Sequence, residues 1–304
     1  MKRVLVTGGS GFIGRHTLSA LGDRGFDVHA VSSQTRSSST IRWHQADLQR
    51  APDVARVIDS VRPSHLLHLA WFAVPGAFWT SPENLRWVQA SIELVRAFAA
   101  AGGQRLVAAG TCAEYDISDS DCDERETALR PSTLYGTCKH ASRLILEGFA
   151  EGRFSMAWGR VFHLYGPHEH PDRLVPSVIR SLMEERPALC TAGVQVRDFL
   201  HVADVADAFA ALLDSAVCGP VNVASGSPVS VADVVSEIGR QMHAGELVRL
   251  GARPTPPHDP LRLTARVARL RDEVGWSPAF DLARGLRATI DWWRSGDGSL
   301  SGPD

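Results

Sequence analysis

The stretch LYGTCKH places Tyr135 and Lys139 four residues apart, which on a helix is one turn and one face. A phenol is too weak an acid or base near neutral pH unless a cation stabilises its phenolate, and a lysine one turn away supplies that cation. Y-x-x-x-K recurs often by chance, so its weight rests on what precedes it. Residues 7 to 14 read TGGSGFIG, in which Gly9, Gly11 and Gly14 fit G-x-G-x-x-G while Gly8, Gly11 and Gly14 fit G-x-x-G-x-x-G. Such spacing provides a tight turn, a backbone without Cβ where a pyrophosphate approaches, and a helix N-terminus whose free N–H groups face an anion. The loop directly follows a short apolar strand, with a second strand about twenty residues on, so it predicts dinucleotide binding rather than a simple turn.

That second strand, DVHAV, bears on which dinucleotide. A carboxylate at its end would accept hydrogen bonds from both ribose hydroxyls but repel a 2′-phosphate; small hydroxyls with an arginine nearby do the reverse. Here the strand ends in Ser32 and Ser33 with Arg36 shortly after, while its one acid, Asp27, stands at the beginning. The reading is NADP(H), with Ser32, Ser33 and Arg36 at the 2′-phosphate; the bland alternative makes Arg36 a solvated loop charge. Asp47, after the third strand in HQADL, either contacts adenine or is a turn residue.

These residues need a scaffold, and the chain supplies a regular one. The apolar runs RVLVT, DVHAV, IRWHQAD, HLLHLA, RLVAAG and FSMAWGRVF alternate with helical patterns, which predicts an α/β fold, a Rossmann-type doubly wound parallel sheet. One helix is expected to begin at Ser81-Pro82 and stop at Gly102-Gly103; another, carrying Tyr135 and Lys139, runs from near Pro131-Ser132 to about Glu151. From Gly166 onward prolines, loops and isolated helices such as SVADVVSEIGRQM replace that rhythm. We therefore expect a dinucleotide-binding domain over 1–165 with a return segment at about 198–216, a smaller C-terminal substrate lobe over 166–197 and 217–294, and a flexible tail over 295–304.

Composition narrows the partners. The 34 acidic and 32 basic residues nearly balance, so no overall field draws the chain to nucleic acid or an anionic membrane, and a small-molecule ligand is expected. The five cysteines are odd in number and lack C-x-x-C spacing, which argues against a disulfide framework and a structural zinc site. With no signal-peptide pattern and no apolar stretch of about 18 residues, this predicts a cytoplasmic protein. His168 and His170 form an H-x-H without a third ligand at suitable spacing, so a loop is expected there and no metal.

Taken in order along nearly the whole chain, these motifs resemble those of the extended short-chain dehydrogenase/reductases, in particular the nucleotide-sugar epimerase, dehydratase and reductase group. TGGSGFIG is similar to that family's opening motif, HLLHLAW to its fourth strand, and GRVFHLYGP (159–167) and VRDFLHVADVADA (196–208) to two later motifs that frame the nucleotide sugar; VGWSPAFDLARGL resembles the C-terminal one. The resemblance implies that Thr111 is the catalytic Ser/Thr beside Tyr135 and Lys139. It implies further cofactor contacts from Phe12, Ile13, Leu48, Leu69, Ala70, Trp71, Asn84 and Phe162. Substrate contacts would come from Thr111, His163, Arg173 and Arg197, with Arg197 on the diphosphate or, failing that, in a surface salt bridge. His163 departs from the family's usual asparagine. A homodimer packed through the helices near 82–101 and 132–151 is also implied.

Three reactions share this scaffold, and departures discriminate among them. Dehydratases of the family place Asp-Glu after the catalytic threonine; here those positions are Cys112 and Ala113, and Glu114 lies one residue further on, where a different side-chain direction is expected. Dehydration is thereby disfavoured. Ser32, Ser33 and Arg36 then favour an NADPH-dependent 4-ketoreductase acting on a nucleoside-diphosphate 4-keto-6-deoxyhexose, ahead of an NAD-dependent nucleotide-sugar 4-epimerase. A non-enzymatic NADP(H) sensor would have no need of Thr111, Tyr135 and Lys139 together.

Overall fold

In the computed structural model, which describes residues 2–116, 120–256 and 259–296, the apolar run RVLVT forms β1 (Arg3–Thr7) and leads through the glycine loop into α1 (Phe12–Asp23). The alternation continues with β2 (Asp27–Ser32), β3 (Arg42–Gln45), α2 (Ala51–Val61), β4 (His65–His68), α3 (Glu83–Ala100) and β5 (Arg105–Thr111). After β6 (Ser120–Cys122) come α4 (Leu134–Ala150), β7 (Ser155–Val161), β8 (His163–Tyr165), α5 (Leu174–Met183), β9 (Ala188–Leu189), β10 (Val196–His201), α6 (Val202–Asp214) and β11 (Gly219–Val223). The chain then forms β12 (Pro228–Ser230), α7 (Val231–Gln241), β13 (Val248–Arg249), β14 (Arg262–Ala265) and α8 (Leu282–Arg294).

Seven strands pair in parallel in the order β3-β2-β1-β4-β5-β7-β11. Both faces are covered. Along β1, Val4 and Val6 enter the core under α1 and α6, while Leu5 faces the core under α2 and α3, as alternation along a strand requires. The strand order reverses between β1 and β4, so the carboxyl ends of these two strands open a crevice for ligand.

The two marked helices form close to their expected bounds. The Ser81 hydroxyl accepts from the Glu83 N–H at 3.2 Å where α3 begins. α4 starts slightly later than Pro131-Ser132, because Thr133 is its cap and accepts from the Gly136 N–H at 3.1 Å.

The lobe boundary needs correction in two places. The return segment does not end near 216: β11 lies beyond it and pairs along β7 from Gly219↔Ala157 to Val223↔Val161. Its five residues, GPVNV, open with Gly-Pro and so read as a loop. The lobe is also not confined to the second half, since its sheet runs β12-β10-β14-β6 with β8 on β10, and β6 comes from the insertion between β5 and α4. The expected tail falls largely outside the described residues, which stop at 296.

Candidate active site

The glycine loop is shaped by contact as well as by conformation. Gly8 has φ +70°, and a Cβ there would lie 2.7 Å from the Ala70 N; a Cβ at Gly14 would lie 2.0 Å from the Gly8 carbonyl oxygen. The turn thus presses on the end of β4 at Leu69-Ala70 and on itself. Gly11 is the N-cap of α1 and offers no side-chain cap, nor is there an acid in the first turn, where Phe12 and Ile13 are half-buried. The first N–H groups of α1 are left for an anion. These features fit the pyrophosphate of a dinucleotide.

At the end of β2, Ser32 is buried and its hydroxyl accepts from the Gln34 N–H at 3.1 Å and from Arg36 Nε at 3.3 Å. The Arg36 guanidinium lies 5.7 Å from the Trp43 ring centre, and Ser33 is exposed beside it. The chain thus brings Ser32 and Arg36 together. Asp47 serves its own turn: its Oδ1 accepts from the Gln49 N–H at 2.9 Å. With Leu48 it borders a cleft of about 540 Å³ whose other wall carries Arg86, Gln89 and Glu93 of α3.

The residues expected to be catalytic lie where β5 meets α4. Tyr135, in the first turn of α4, donates its backbone N–H to the Trp79 carbonyl at 3.1 Å and meets the rings of Phe78 and Trp79 edge-on at 4.9 and 5.8 Å. Burial pushes its phenol above the ordinary range, and a hydrogen bond with the Thr111 hydroxyl pulls the other way. Lys139 is buried; its Nζ donates to the Ala109 carbonyl at 2.8 Å and sits 3.9 Å from the centre of the Trp71 ring. Burial lowers its pKa to about 7, opposed by the charge of Glu114. A signal in the sequence marks this residue beyond its spacing: of 32 lysines and arginines, only Lys2 and Lys139 are lysines. The chain uses arginine nearly everywhere that it needs a cation, and a readily titrated amine here.

Asn84 sits behind the site rather than facing into it. Its Oδ1 accepts from Trp71 Nε1 and its Nδ2 donates to the Phe78 and Ser81 carbonyls, all at 2.8 Å. The expected cofactor contact is therefore an anchor that ties Trp71 and the 78–81 turn to α3. Phe162 is likewise buried, packed near Tyr115 at 6.3 Å between ring centres.

The Thr111 region holds the network that sequence reasoning missed. Cys112, Ala113 and Glu114 form a single 3₁₀ turn capped by Thr111. Glu114 is fully buried: Oε1 accepts from the Thr111 N–H at 2.9 Å and Trp158 Nε1 at 2.8 Å, and Oε2 accepts from Arg160 Nε at 3.0 Å. Burial pushes the Cys112 thiol up to about 12. Neither Cys112 nor Ala113 offers the acid–base pair of a dehydratase, and Glu114 is turned away and paired. The available signal was T-x-x-E, the pattern of a reciprocal cap.

The substrate side collects the three expected residues in unequal condition. Arg197 is buried, and its charge is met by Asp259 at 2.5 Å while Nη1 donates to the Val196 carbonyl. Arg173 is exposed, lies 5.5 Å from the Phe78 ring centre, and has no salt bridge with a described residue. It is the freer cation beside Tyr135. His163 is kept neutral, with a pKa near 3, by burial and by Arg197 and Arg173; its Nδ1 is buried without a partner. No cluster that could hold a metal occurs among the described residues, and His168 instead packs on Trp292 at 4.6 Å.

With this geometry in hand, comparison with known proteins is informative. The family model "NAD dependent epimerase/dehydratase family" matches residues 4–224. The UDP-glucose 4-epimerase of Azospirillum brasilense is 29% identical over 324 residues, spanning 96% of this chain and 92% of that protein. The mouse (Mus musculus) dTDP-D-glucose 4,6-dehydratase is 24% identical, over 96% of this chain and 89% of its own length. The structure of MoeE5 with UDP-glucuronic acid and NAD superposes with a TM-score of 0.84 at 30% identity, covering 97% of this chain and 99% of that one. The chain is an extended short-chain dehydrogenase/reductase and belongs to the NAD-dependent epimerase/dehydratase family of nucleotide-sugar enzymes.

Proposed function

We propose that this enzyme reduces the 4-keto group of a nucleoside-diphosphate 4-keto-6-deoxyhexose with NADPH. The observation that carries the reading is the acid-free end of β2, where Arg36 rests on Ser32. Gly8, Gly11 and Gly14 would hold the pyrophosphate and Ser32, Ser33 and Arg36 the 2′-phosphate. A bound dihydronicotinamide supplies hydride to the sugar carbonyl. Tyr135 passes its proton to the carbonyl oxygen as charge develops there, Thr111 hydrogen-bonds the same oxygen, and Lys139 sets the proton affinity of the phenol. Glu114, turned into the protein, supports reduction over dehydration.

Titration with each cofactor tests the assignment. NADPH is expected to bind more tightly than NADH, and Arg36→Ala to narrow the gap by roughly tenfold, the worth of a charged hydrogen bond. Equal affinities would pass the reading to an NAD-dependent nucleotide-sugar 4-epimerase, the alternative favoured by the NAD in MoeE5 and by the Azospirillum brasilense relative. Incubation with a panel of nucleoside-diphosphate 4-keto sugars and NADPH, followed by cofactor absorbance, then identifies the substrate.

For the substrate diphosphate, Arg173 is favoured over Arg197, whose charge Asp259 already meets. Arg173→Ala should raise KM for the sugar nucleotide severalfold or more and leave NADPH affinity unchanged; an unchanged KM would return Arg173 to the solvent. We also propose a homodimer through α3 and α4, which carry the exposed apolar side chains Leu85, Leu144 and Ile145, at 54%, 52% and 45% exposure. Sedimentation tests it.

A further inference from the structure

Glu114 is a fully buried carboxylate, and its surroundings show why an anion is required there. Its two oxygens receive three donors: the Thr111 N–H, Trp158 Nε1 and Arg160 Nε. Only an acceptor-only group can meet all three, since an amide in its place would aim an N–H at another donor. One of the three belongs to the main chain of the catalytic threonine. The partner Arg160 is itself fully buried, and its Nη1 donates to the Tyr115 hydroxyl at 2.9 Å. Tyr115 donates in turn to Asn222 at 2.7 Å, and Asn222 is bound to the Cys122 and Arg266 carbonyls. The carboxylate therefore stands at the head of a chain that runs from the lobe sheet to Thr111.

The same carboxylate and the buried lysine are tied to one short stretch of β5: Glu114 holds the Thr111 N–H, and Lys139 Nζ donates to the Ala109 carbonyl two residues before it. Around Lys139 stand the Ala109 carbonyl from β5, the Trp71 face after β4 and neutral His68 from β4, with Tyr135 one turn earlier on α4. Among the described residues, Glu114 is the anion that acts on it.

We propose that Glu114 is a positioning residue for the catalytic set: it fixes the Thr111 main chain and supplies the negative charge that keeps the Lys139 ammonium protonated in its buried site. The catalytic part rests on the reading of Thr111, Tyr135 and Lys139 as the reacting set, but the test does not. With only two lysines, full-length protein carrying isotopically labelled lysine gives two side-chain NMR signals, and Lys2→Arg assigns them. In the unaltered protein the Lys139 signal should titrate near pH 7. In Glu114→Gln its midpoint should fall by about one unit, the loss of one nearby opposite charge. Because that variant leaves Arg160 unpaired, Glu114→Gln/Arg160→Met removes both buried charges together, and a smaller shift in the same downward direction is expected there, since the cation that opposes protonation of the lysine leaves with the anion.

A midpoint unchanged in either folded variant overturns the proposal, and collapse of the fold in both would reduce the pair to structure alone and overturn it too. The kinetic counterpart follows the same sign. Lys139 must be charged to assist Tyr135, so activity is lost as pH rises through the lysine midpoint, and that alkaline limb should move to lower pH in Glu114→Gln. If no sugar nucleotide is turned over at all, the functional reading fails while the titration still decides the role of Glu114.

Discussion

Replacing Tyr135 by phenylalanine should cut turnover by roughly a hundred- to ten-thousand-fold, the usual worth of a positioned acid, while cofactor affinity changes little. The ring carries the packing and the hydroxyl the chemistry. Phe78 and Trp79 hold the ring edge-on, and those contacts survive the substitution. What disappears is a phenol that burial keeps in its protonated form, the state needed to give a proton to a carbonyl oxygen. Loss of the hydroxyl itself should cost the fold only about 1 kcal/mol. Thermal melting, NADPH titration and turnover on one preparation separate these effects; near-normal turnover in a folded variant would sink the catalytic assignment.

The second large effect is expected at Gly14. Alanine there would place its Cβ 2.0 Å from the Gly8 carbonyl oxygen and 2.7 Å from Gly9 Cα, both backbone atoms of the glycine loop. The helix cannot move away cheaply, because Leu18 and Leu21 of α1 are buried in the core against α6. The expected outcome is a loss of about 3 kcal/mol or more of stability, typical of overpacking against fixed neighbours, together with loss of nicotinamide cofactor binding. A Gly14→Ala protein that melts normally and binds cofactor normally would show that the loop is looser than its contacts imply.

What the sequence made legible was whatever depends on local spacing. The glycine loop, the Tyr135–Lys139 pair and the alternation of strands with helices all rest on neighbours within a turn or two. What it hid depends on pairing at long range. Gly110 reads as an ordinary strand residue, yet a Cβ there would lie 2.0 Å from Trp158 Nε1, the indole that serves Glu114. Arg160 reads as an interruption in an apolar run, and only the fold reveals Glu114 beside it, 46 positions away. Arg197 stands out as a cation in a family motif, but its partner, Asp259, is 62 residues further on. β6 and β11 are too short to announce themselves, and their places are set by the strands they join.

The route of the chain through the lobe sheet also limits how this enzyme can be rebuilt. β6 is donated from between β5 and α4, and β14 from beyond β13, while β11 returns to the main sheet after the lobe has begun. No single cut therefore yields two self-sufficient halves. A fragment ending at 165 would carry β6 without its partner β14 and would bare the edge of β7 that β11 covers, the kind of unpaired edge that invites aggregation. Exchange of whole cassettes between relatives is closed to such a chain. New specificity has to be written in place, by changing side chains such as the proposed substrate contacts His163 and Arg173, on a frame that is inherited as one piece.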